Sequence, residues 1–269
     1  MIWPAEDLWL DLVALQPGLT VEVLPSIDST NTELMRRARA GQTEPVLLVA
    51  EQQTAGRGRL GRPWQGEVEA ALTFSLGLML QPRDWSGLSL AVGVSLAQSL
   101  DPQSELGVQL KWPNDLWVKR PQTPEGWGKL AGILIETALP TGSSYSADAP
   151  RYCVVGVGIN IAPPQAQGLS TAPLGLRDVQ DGADAPHTLT RVAKSLLATL
   201  QRFECEGFAP WQVAFNARDA LAQTPVTLSD GRHGVAQGVD ASGGLLVHTE
   251  QGMAVVTSAE VSVRPIMQP

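Results

Sequence analysis

Between Ala50 and Trp64 the chain reads AEQQTAGRGRLGRPW, which sets Arg57, Arg59 and Arg62 within six positions in a protein of formal net charge −8. A fully extended run this short spans at most roughly 20 Å, so the three guanidinium groups must stay close together. Like charges confined in this way repel unless something anionic sits among them. Arg, with its planar fork of donors, is the side chain best suited to hold phosphate. Gly56, Gly58 and Gly61 let the backbone take positive φ and approach a ligand closely. The run follows a strand over Val46 to Gln53 and reads as a loop. The competing possibility is a solvated surface loop with no ligand at all.

The bulk properties narrow the choice. At 269 residues the chain suits one large domain, or one domain and a small module. Hydrophobic residues make up 43% and charged residues 17%, enough for a sizeable core. No apolar run reaches the roughly 18 residues needed to cross a bilayer. The opening MIWPAEDLWLDLVAL carries three acids and no base, unlike a secretory signal, so a cytoplasmic protein is expected. Cys153 and Cys205 are too few for a disulfide framework, and three scattered histidines argue against a His/Cys metal centre. The acidic balance argues against general nucleic-acid binding.

Apolar spacing predicts a helix over Trp3 to Gln16 and a strand over Val21 to Ile27. Ser29-Thr30-Asn31 follows, with Glu33 three residues after Thr30. That is a capping-box pattern for a helix ending near Gly41. Val46 to Gln53 and Leu72 to Leu80 read as strands either side of the Gly/Arg loop. Ser86 to Leu100 reads as an apolar helix whose small residues suit close packing. Val108 to Trp112, Leu116 to Lys119, Lys129 to Leu139 and Tyr152 to Ile161 read as further strands. The polar connection 140–151 reads as mobile, and Pro121 to Gly128 as a hairpin tip. Helices are expected over Leu189 to Gly207 and Phe208 to Ala222. From about Pro225, five short strand-like runs separated by glycine turns describe a small β-module. A boundary near Gln223 gives domains 1–222 and 223–269.

Four segments carry more chemistry than packing requires: Ser29 to Asn31, Gln53 to Trp64, Lys111 to Asp115, and Lys129 to Glu136. Asn114 and Asp115 follow a strand and a proline, where side chains can point into a cleft. They suit Mg²⁺ or ribose hydroxyls, or simply an Asx turn. Lys129 opens an apolar strand and either snorkels to the surface or faces an anion. Gly132 inside that strand marks close approach of a ligand or backbone. GVGIN (156–160) lacks the third glycine of a dinucleotide site, and no Lys-Ser/Thr pair follows the Gly/Arg run as a P-loop would require. Its glycines read as space-makers.

In this order and at these intervals, STN, EQQTAGRGRLGRPW, KWPNDLW, KLAGILIE and VVGVGINI resemble biotin protein ligases, over about residues 20 to 265. The resemblance implies an α+β fold: a mixed β-sheet catalytic domain with flanking helices, plus a C-terminal SH3-like β-barrel. It implies that biotin and MgATP give biotinyl-5′-adenylate, and that biotin then passes to one lysine of a biotin carboxyl carrier domain. By the same resemblance Ser29, Thr30, Asn31 and Gln53 hold biotin's ureido ring. Gly56, Arg57, Gly58 and Arg59 close over biotin and the adenylate, with Gly132 alongside. Lys129 contacts the biotin carboxylate and the α-phosphate. Arg62, Trp64, Lys111, Asn114, Asp115 and Asn160 serve the nucleotide, Trp64 by offering a face to adenine. Lys129, Arg57, Arg59 and Asp115 form the catalytic set, with ATP, Mg²⁺ and biotin as the small molecules and no resident metal.

Two departures stand out. Ala71 lies near a position where the family usually has Asn, which removes one supporting hydrogen bond. KRPQTPEGWG (119–128) adds residues expected to lengthen a hairpin without moving the site. Only about 20 residues precede the first catalytic strand, so no DNA-binding role is expected. A homodimer through sheet edges is allowed. The alternatives are a related lipoate or octanoate ligase, and a biotin-binding regulator without turnover.

Overall fold

The computed structural model describes residues 1–64, 66–120, 126–140, 146, 149–165, 172–228, 231–257 and 263–265. Most of the 140–151 connection and the tip of the 121–128 hairpin lie outside the described residues.

One seven-stranded sheet organises the larger domain. Its strands are β1 (Thr20–Leu24), β2 (Val46–Ala50), β3 (Ala71–Leu80), β4 (Val108–Lys111), β5 (Asp115–Lys119), β6 (Trp127–Ala138) and β7 (Arg151–Asn160). They lie in the order β1-β2-β3-β7-β6-β5-β4. β1 and β2 run parallel, and every other neighbouring pair is antiparallel. The sheet is therefore mixed, as expected.

Side-chain alternation assigns its two faces. Leu47 and Val49 of β2, Phe74 and Leu76 of β3, and Cys153 and Val155 of β7 enter the large core. That core is shared with α1 (Ala5–Val13), α3 (Leu88–Leu100) and α4 (Ala185–Glu206). The alternate residues Val46, Leu48, Tyr152 and Val154 pack with Leu34, Met35 and Ala38 of α2 (Thr30–Arg39) on the opposite face. α3 is buried nearly all round, and a Cβ on Gly93 would stand 3.3 Å from Leu110 Cδ2. Its small residues serve close packing, as the composition suggests.

Several element ends differ from the sequence expectation for local reasons. α1 begins only after Pro4, and the chain turns away before Pro17 and the positive-φ Gly18. Ser29, not Thr30, caps α2, its hydroxyl accepting from Thr32 N at 3.4 Å. Glu33 therefore falls one residue beyond the capping-box position and pairs with Arg36 and Arg37 instead. α4 starts four residues earlier than expected because Asp184 caps it, accepting from His187 N at 2.8 Å. The helix expected over Phe208 to Ala222 shrinks to α5 (Gln212–Ala217). Beyond it Arg218 and Ala220 bond both backbone groups of Leu110, adding a parallel bridge at Asp219 beside β4.

The C-terminal module is a five-stranded antiparallel sheet of β8 (Pro225–Leu228), β9 (His233–Val239), β10 (Leu245–Thr249), β11 (Gly252–Val256) and β12 (Val263–Pro265), in the order β11-β10-β9-β8-β12. This suits the SH3-like module expected. Its 240–244 turn docks on the larger domain. The fully buried Trp112 donates its indole N–H to the Gly243 carbonyl at 3.1 Å, across a cis Trp112–Pro113 bond. Gly243 has φ +83°, and a Cβ there would stand 2.7 Å from Gly87 Cα, so only glycine fits. Asn216 fastens the same region through both backbone groups of Val239. Replacing Trp112 with Phe orphans the Gly243 carbonyl. It should cost about 1–3 kcal/mol in denaturant unfolding, with both domains destabilised together.

Candidate active site

The α2 face of the sheet is paved with glycine where β7 and β6 pair, Gly132 opposite Gly158. A Cβ on Gly156 would lie 2.0 Å from Asn31 Oδ1, and one on Gly158 would lie 2.3 Å from Trp64 Cε2. Gly132 of β6 would meet Trp64 at 3.1 Å and Lys129 Nζ at 3.5 Å. These missing methyl groups let Asn31 and the Trp64 indole settle directly onto the sheet. The glycines of GVGIN are space-makers, as their lack of a dinucleotide motif suggested.

At one end of this floor lies a hydrogen-bonding recess of neutral side chains, edged by the Glu136 carboxylate. Gln53 Oε1 accepts from the Thr30 amide at 2.7 Å and the Thr30 hydroxyl at 3.1 Å. Asn31 Nδ2 donates to the Leu134 carbonyl at 3.2 Å and to Glu136 Oε2 at 3.1 Å. Ser75 Oγ lies 2.7 Å from Thr30 Oγ1 and 2.6 Å from Asn31 Oδ1; with one proton it donates to one of them at a time. Ser29, Thr30, Asn31 and Ser75 are all buried.

Ser75 joins the recess without having been expected there, and Glu136, which closes the Lys129 to Glu136 segment, has a partner role that the sequence did not assign. The signal for Ser75 was available: Thr73 and Ser75 are the polar residues of an otherwise apolar strand, and they share the face opposite Phe74 and Leu76.

The Gly/Arg run closes into a compact hairpin. Trp64 N bonds Gly56 O at 2.8 Å, Gly58 N bonds Arg62 O at 2.7 Å, and Arg57 bridges Pro63. A Cβ on Gly56 would stand 2.5 Å from the Trp64 carbonyl, so closure itself requires glycine there. At the tip Leu60 and Gly61 both have positive φ. Arg57 reaches back to α2 and β6, 3.2 Å from Glu136 Oε1 and 3.3 Å from Thr32 Oγ1.

The opposite end of the floor is cationic. Lys129 Nζ lies 2.7 Å from Asp115 Oδ1 and 5.8 Å from the Trp64 ring centroid. Lys129 faces the site because β5 and β6 slip register between Leu116 and Trp117, which pairs Trp117 with Lys129 and Asp115 with Gly132. Lys111 lies beside the same aspartate. Burial pulls its pKa down to about 8, with Lys129, Arg59 and Arg62 pushing the same way and Asp115 resisting. Arg59 is also lowered by burial, opposed by Asp115 and reinforced by Arg62.

Two expected nucleotide residues act first as fasteners. Asn114 Nδ2 donates to the Ile133 carbonyl at 2.9 Å and ties the 112–115 turn to β6. Asn160, buried, donates to the Lys129 carbonyl at 3.1 Å. Ala71 pairs with Asn160 across β3 and β7 and offers no hydrogen-bonding side chain there. The lengthened 119–128 hairpin leaves from Lys119, which pairs with Trp127 at the far end of β5 from Asp115. Among the described residues no cluster of three or more His, Cys, Asp or Glu could hold a metal on its own. No helix among them is long and apolar enough to cross a membrane.

Comparison with known proteins agrees with this architecture. Residues 23–160 match the model of the Biotin/lipoate A/B protein ligase family, and 225–264 that of the Biotin protein ligase C terminal domain. The bifunctional ligase/repressor BirA of Escherichia coli is 33% identical over 254 residues, covering 92% of this chain and 75% of its own length. The biotin–[acetyl-CoA-carboxylase] ligase of Paracoccus denitrificans is 31% identical over 255 residues, covering 89% of this chain and 98% of its own. A biotin protein ligase from Aquifex aeolicus, solved in complex with biotin and ATP, superposes with TM-score 0.74 at 27% identity, over 93% of this chain and 100% of that one.

The electrostatics of Lys111 are directly measurable. In ¹³C-dimethyl NMR its ammonium should titrate near 8. Asp115→Asn should lower that value further, because Asp115 is the group that holds it up. Between about 8 and roughly 10.4 the unfolded chain binds the extra proton, so this residue makes stability rise with pH across that window. A Lys111 value at the ordinary lysine position would contradict the buried geometry.

Proposed function

The chain belongs to the biotin/lipoate A/B protein ligase family and is a biotin protein ligase, and we propose that the recess under α2 takes the bicyclic ring of biotin while the Lys/Arg cluster takes the phosphates of ATP. The observation that carries this assignment is the polarity of the glycine floor. Neutral donors and acceptors from Thr30, Asn31, Gln53 and Ser75 lie at one end, and Lys111, Lys129, Arg59 and Arg62 gather about Asp115 at the other. Biotin has the same polarity: a ureido ring with one acceptor and two N–H donors, a valeryl chain, and a carboxylate. The Trp64 indole lies between the two ends and packs against the middle of the ligand.

In the first half-reaction a biotin carboxylate oxygen attacks the α-phosphorus of ATP, the bond to the β-phosphate oxygen breaks, and pyrophosphate leaves. Two anions must meet, and the clustered cations remove that repulsion while stabilising the charge that develops at phosphorus. Asp115, 2.7 Å from the Lys129 ammonium, aims it. Arg57 pairs with Glu136 in this fold, and the substrate carboxylate or phosphate takes over that partner. In the second half-reaction the amine of an acceptor lysine, supplied by a biotin carboxyl carrier domain, attacks the acyl carbonyl and AMP leaves. The hairpin over Trp64 shields the adenylate from water meanwhile.

A Mg²⁺ ion carried by ATP would supply further charge neutralisation at the phosphates. Asp115 and the amide oxygen of Asn114 would be the protein oxygens that help hold it. One carboxylate and one amide fit an ion held mainly by phosphates. The net charge of −8 supports a ligase with no nucleic-acid partner.

Purified protein should exchange labelled pyrophosphate into ATP only when biotin is present, and should add one biotin mass to a carrier domain. Exchange driven by lipoate or octanoate instead would reassign the acyl substrate, and biotin binding without exchange would point to a regulator. Arg57→Ala should weaken biotin binding by about 10- to 150-fold, the loss of one charge-assisted contact of roughly 1.5–3 kcal/mol. An unchanged Kd in calorimetry would remove Arg57 from the site.

A further inference from the structure

Glu136 stands where an apolar residue would be ordinary. Its partner across β7 is Val154, and Ala138 lies two positions along β6; both belong to the apolar packing under α2. A carboxylate only 23% exposed in such surroundings is costly unless its oxygens are used. Both are used, by different elements. Oε1 faces Arg57 Nη2 at 3.2 Å, the pair that a substrate anion can displace. Oε2 accepts from Asn31 Nδ2 at 3.1 Å, and Asn31 is 3% exposed.

The second contact decides how the recess is wired. The Asn31 amide lies in the space left by Gly156, where a Cβ would stand 2.0 Å from Oδ1 and 3.1 Å from Nδ2. That slot leaves the amide to turn end for end rather than swing away. One orientation gives its two protons to the Leu134 carbonyl, at 3.2 Å, and to Glu136. The other would set Oδ1 against the same two acceptors. Charge-assisted hydrogen bonds are roughly twice as strong as neutral ones, so the carboxylate holds the first orientation firmly.

The consequence passes along the chain of contacts. With Nδ2 committed, Oδ1 faces Ser75, which spends its single proton there at 2.6 Å. The Ser75 oxygen is then left to accept from the Thr30 hydroxyl at 2.7 Å. Asn31, Ser75, Thr30 and Gln53 can each donate or accept, whereas an ionised Glu136 only accepts. We infer that Glu136 is the positioning residue of the recess: through Asn31 it fixes the direction of the Ser75 and Thr30 hydrogen bonds, and so preorganises the recess for a ring carrying both N–H donors and a carbonyl acceptor.

This inference rests on the ligase reading, so the parent protein is measured first, by calorimetry with biotin and by biotin-dependent pyrophosphate exchange. Glu136→Met keeps the length of the side chain and removes both oxygens. It should raise the biotin KM about tenfold, with the ATP KM and the kcat at saturating biotin within about twofold of the parent. Glu136→Gln returns an oxygen to Asn31 while withdrawing the charge from Arg57. It should bring the biotin KM back to within about threefold of the parent. Ser75→Ala removes the next link and should cost biotin about as much as Glu136→Met. Combined, the two losses should not multiply, because both act through Asn31. Glu136→Ala replaces the Met variant if that one does not melt cooperatively.

A parent that does not bind biotin would overturn the ligase reading itself. If the parent binds, three results would each remove Glu136 from this role. The first is a Met variant that holds biotin as tightly as the parent. The second is a Gln variant as weak as the Met variant, which would make Glu136 a counter-ion of Arg57 alone. The third is a double variant whose losses multiply.

Discussion

The absence of a side chain at Gly156 and Gly158 is the constraint on which the rest of the site depends. β7 is flanked by β3 and β6 in the middle of the sheet, and its α2-facing positions read Tyr152, Val154, Gly156, Gly158, Asn160. The first two are large and hold α2 against the sheet. The next two are empty, and into that space come Asn31 from the start of α2 and Trp64 from the hairpin. A single methyl group at either position would collide at 2.0–2.3 Å with groups that have little room to retreat. The helix start, the hairpin and the recess between them are thus located by what one strand lacks.

Charge is arranged around this steric frame. Four cations gather about Asp115 at one end of the floor and Arg57 stands at the other, and two carboxylates keep the arrangement tolerable: Asp115 with Lys129 and Glu136 with Arg57. Neither pair is deeply buried, so each can exchange its partner for a substrate anion at modest cost. Lys111 is the exception, for burial among like charges holds its pKa near 8. The same crowding that makes the cluster receptive to phosphate makes it uncomfortable without one.

The two domains meet behind the site. Trp112 precedes Pro113, Asn114 and Asp115, and its indole is held by the Gly243 carbonyl of the C-terminal module. The turn that presents Asp115 to Lys129 is therefore supported from below by the smaller domain and from the side by the Asn114–Ile133 hydrogen bond. Loss of the module would remove that support from below.

Period-two apolar alternation made most strands legible in the sequence, and the Gly/Arg run announced an anion site because three arginines so close in the chain cannot separate in space. Element ends were less legible. α5 stops early because Arg218 and Ala220 bond to Leu110, and no local pattern reveals a partner more than a hundred residues away. Ser75 was missed, and Glu136 was left without a role, because a serine in the apolar β3 and a carboxylate near the end of β6 look ordinary until Asn31 and Arg57 are brought to them. Asn114 and Asn160, expected to serve a nucleotide, each also donate one amide hydrogen bond to a β6 carbonyl. What the sequence by itself determined was composition held within short reach: the clustered arginines, the empty positions in GVGIN, the mixed run of strands and helices. Only the tertiary structure decided which of those groups meet. Contacts between residues such as Arg57 and Glu136, or Trp112 and Gly243, depend on strand order and register, which the whole core sets and no local segment encodes.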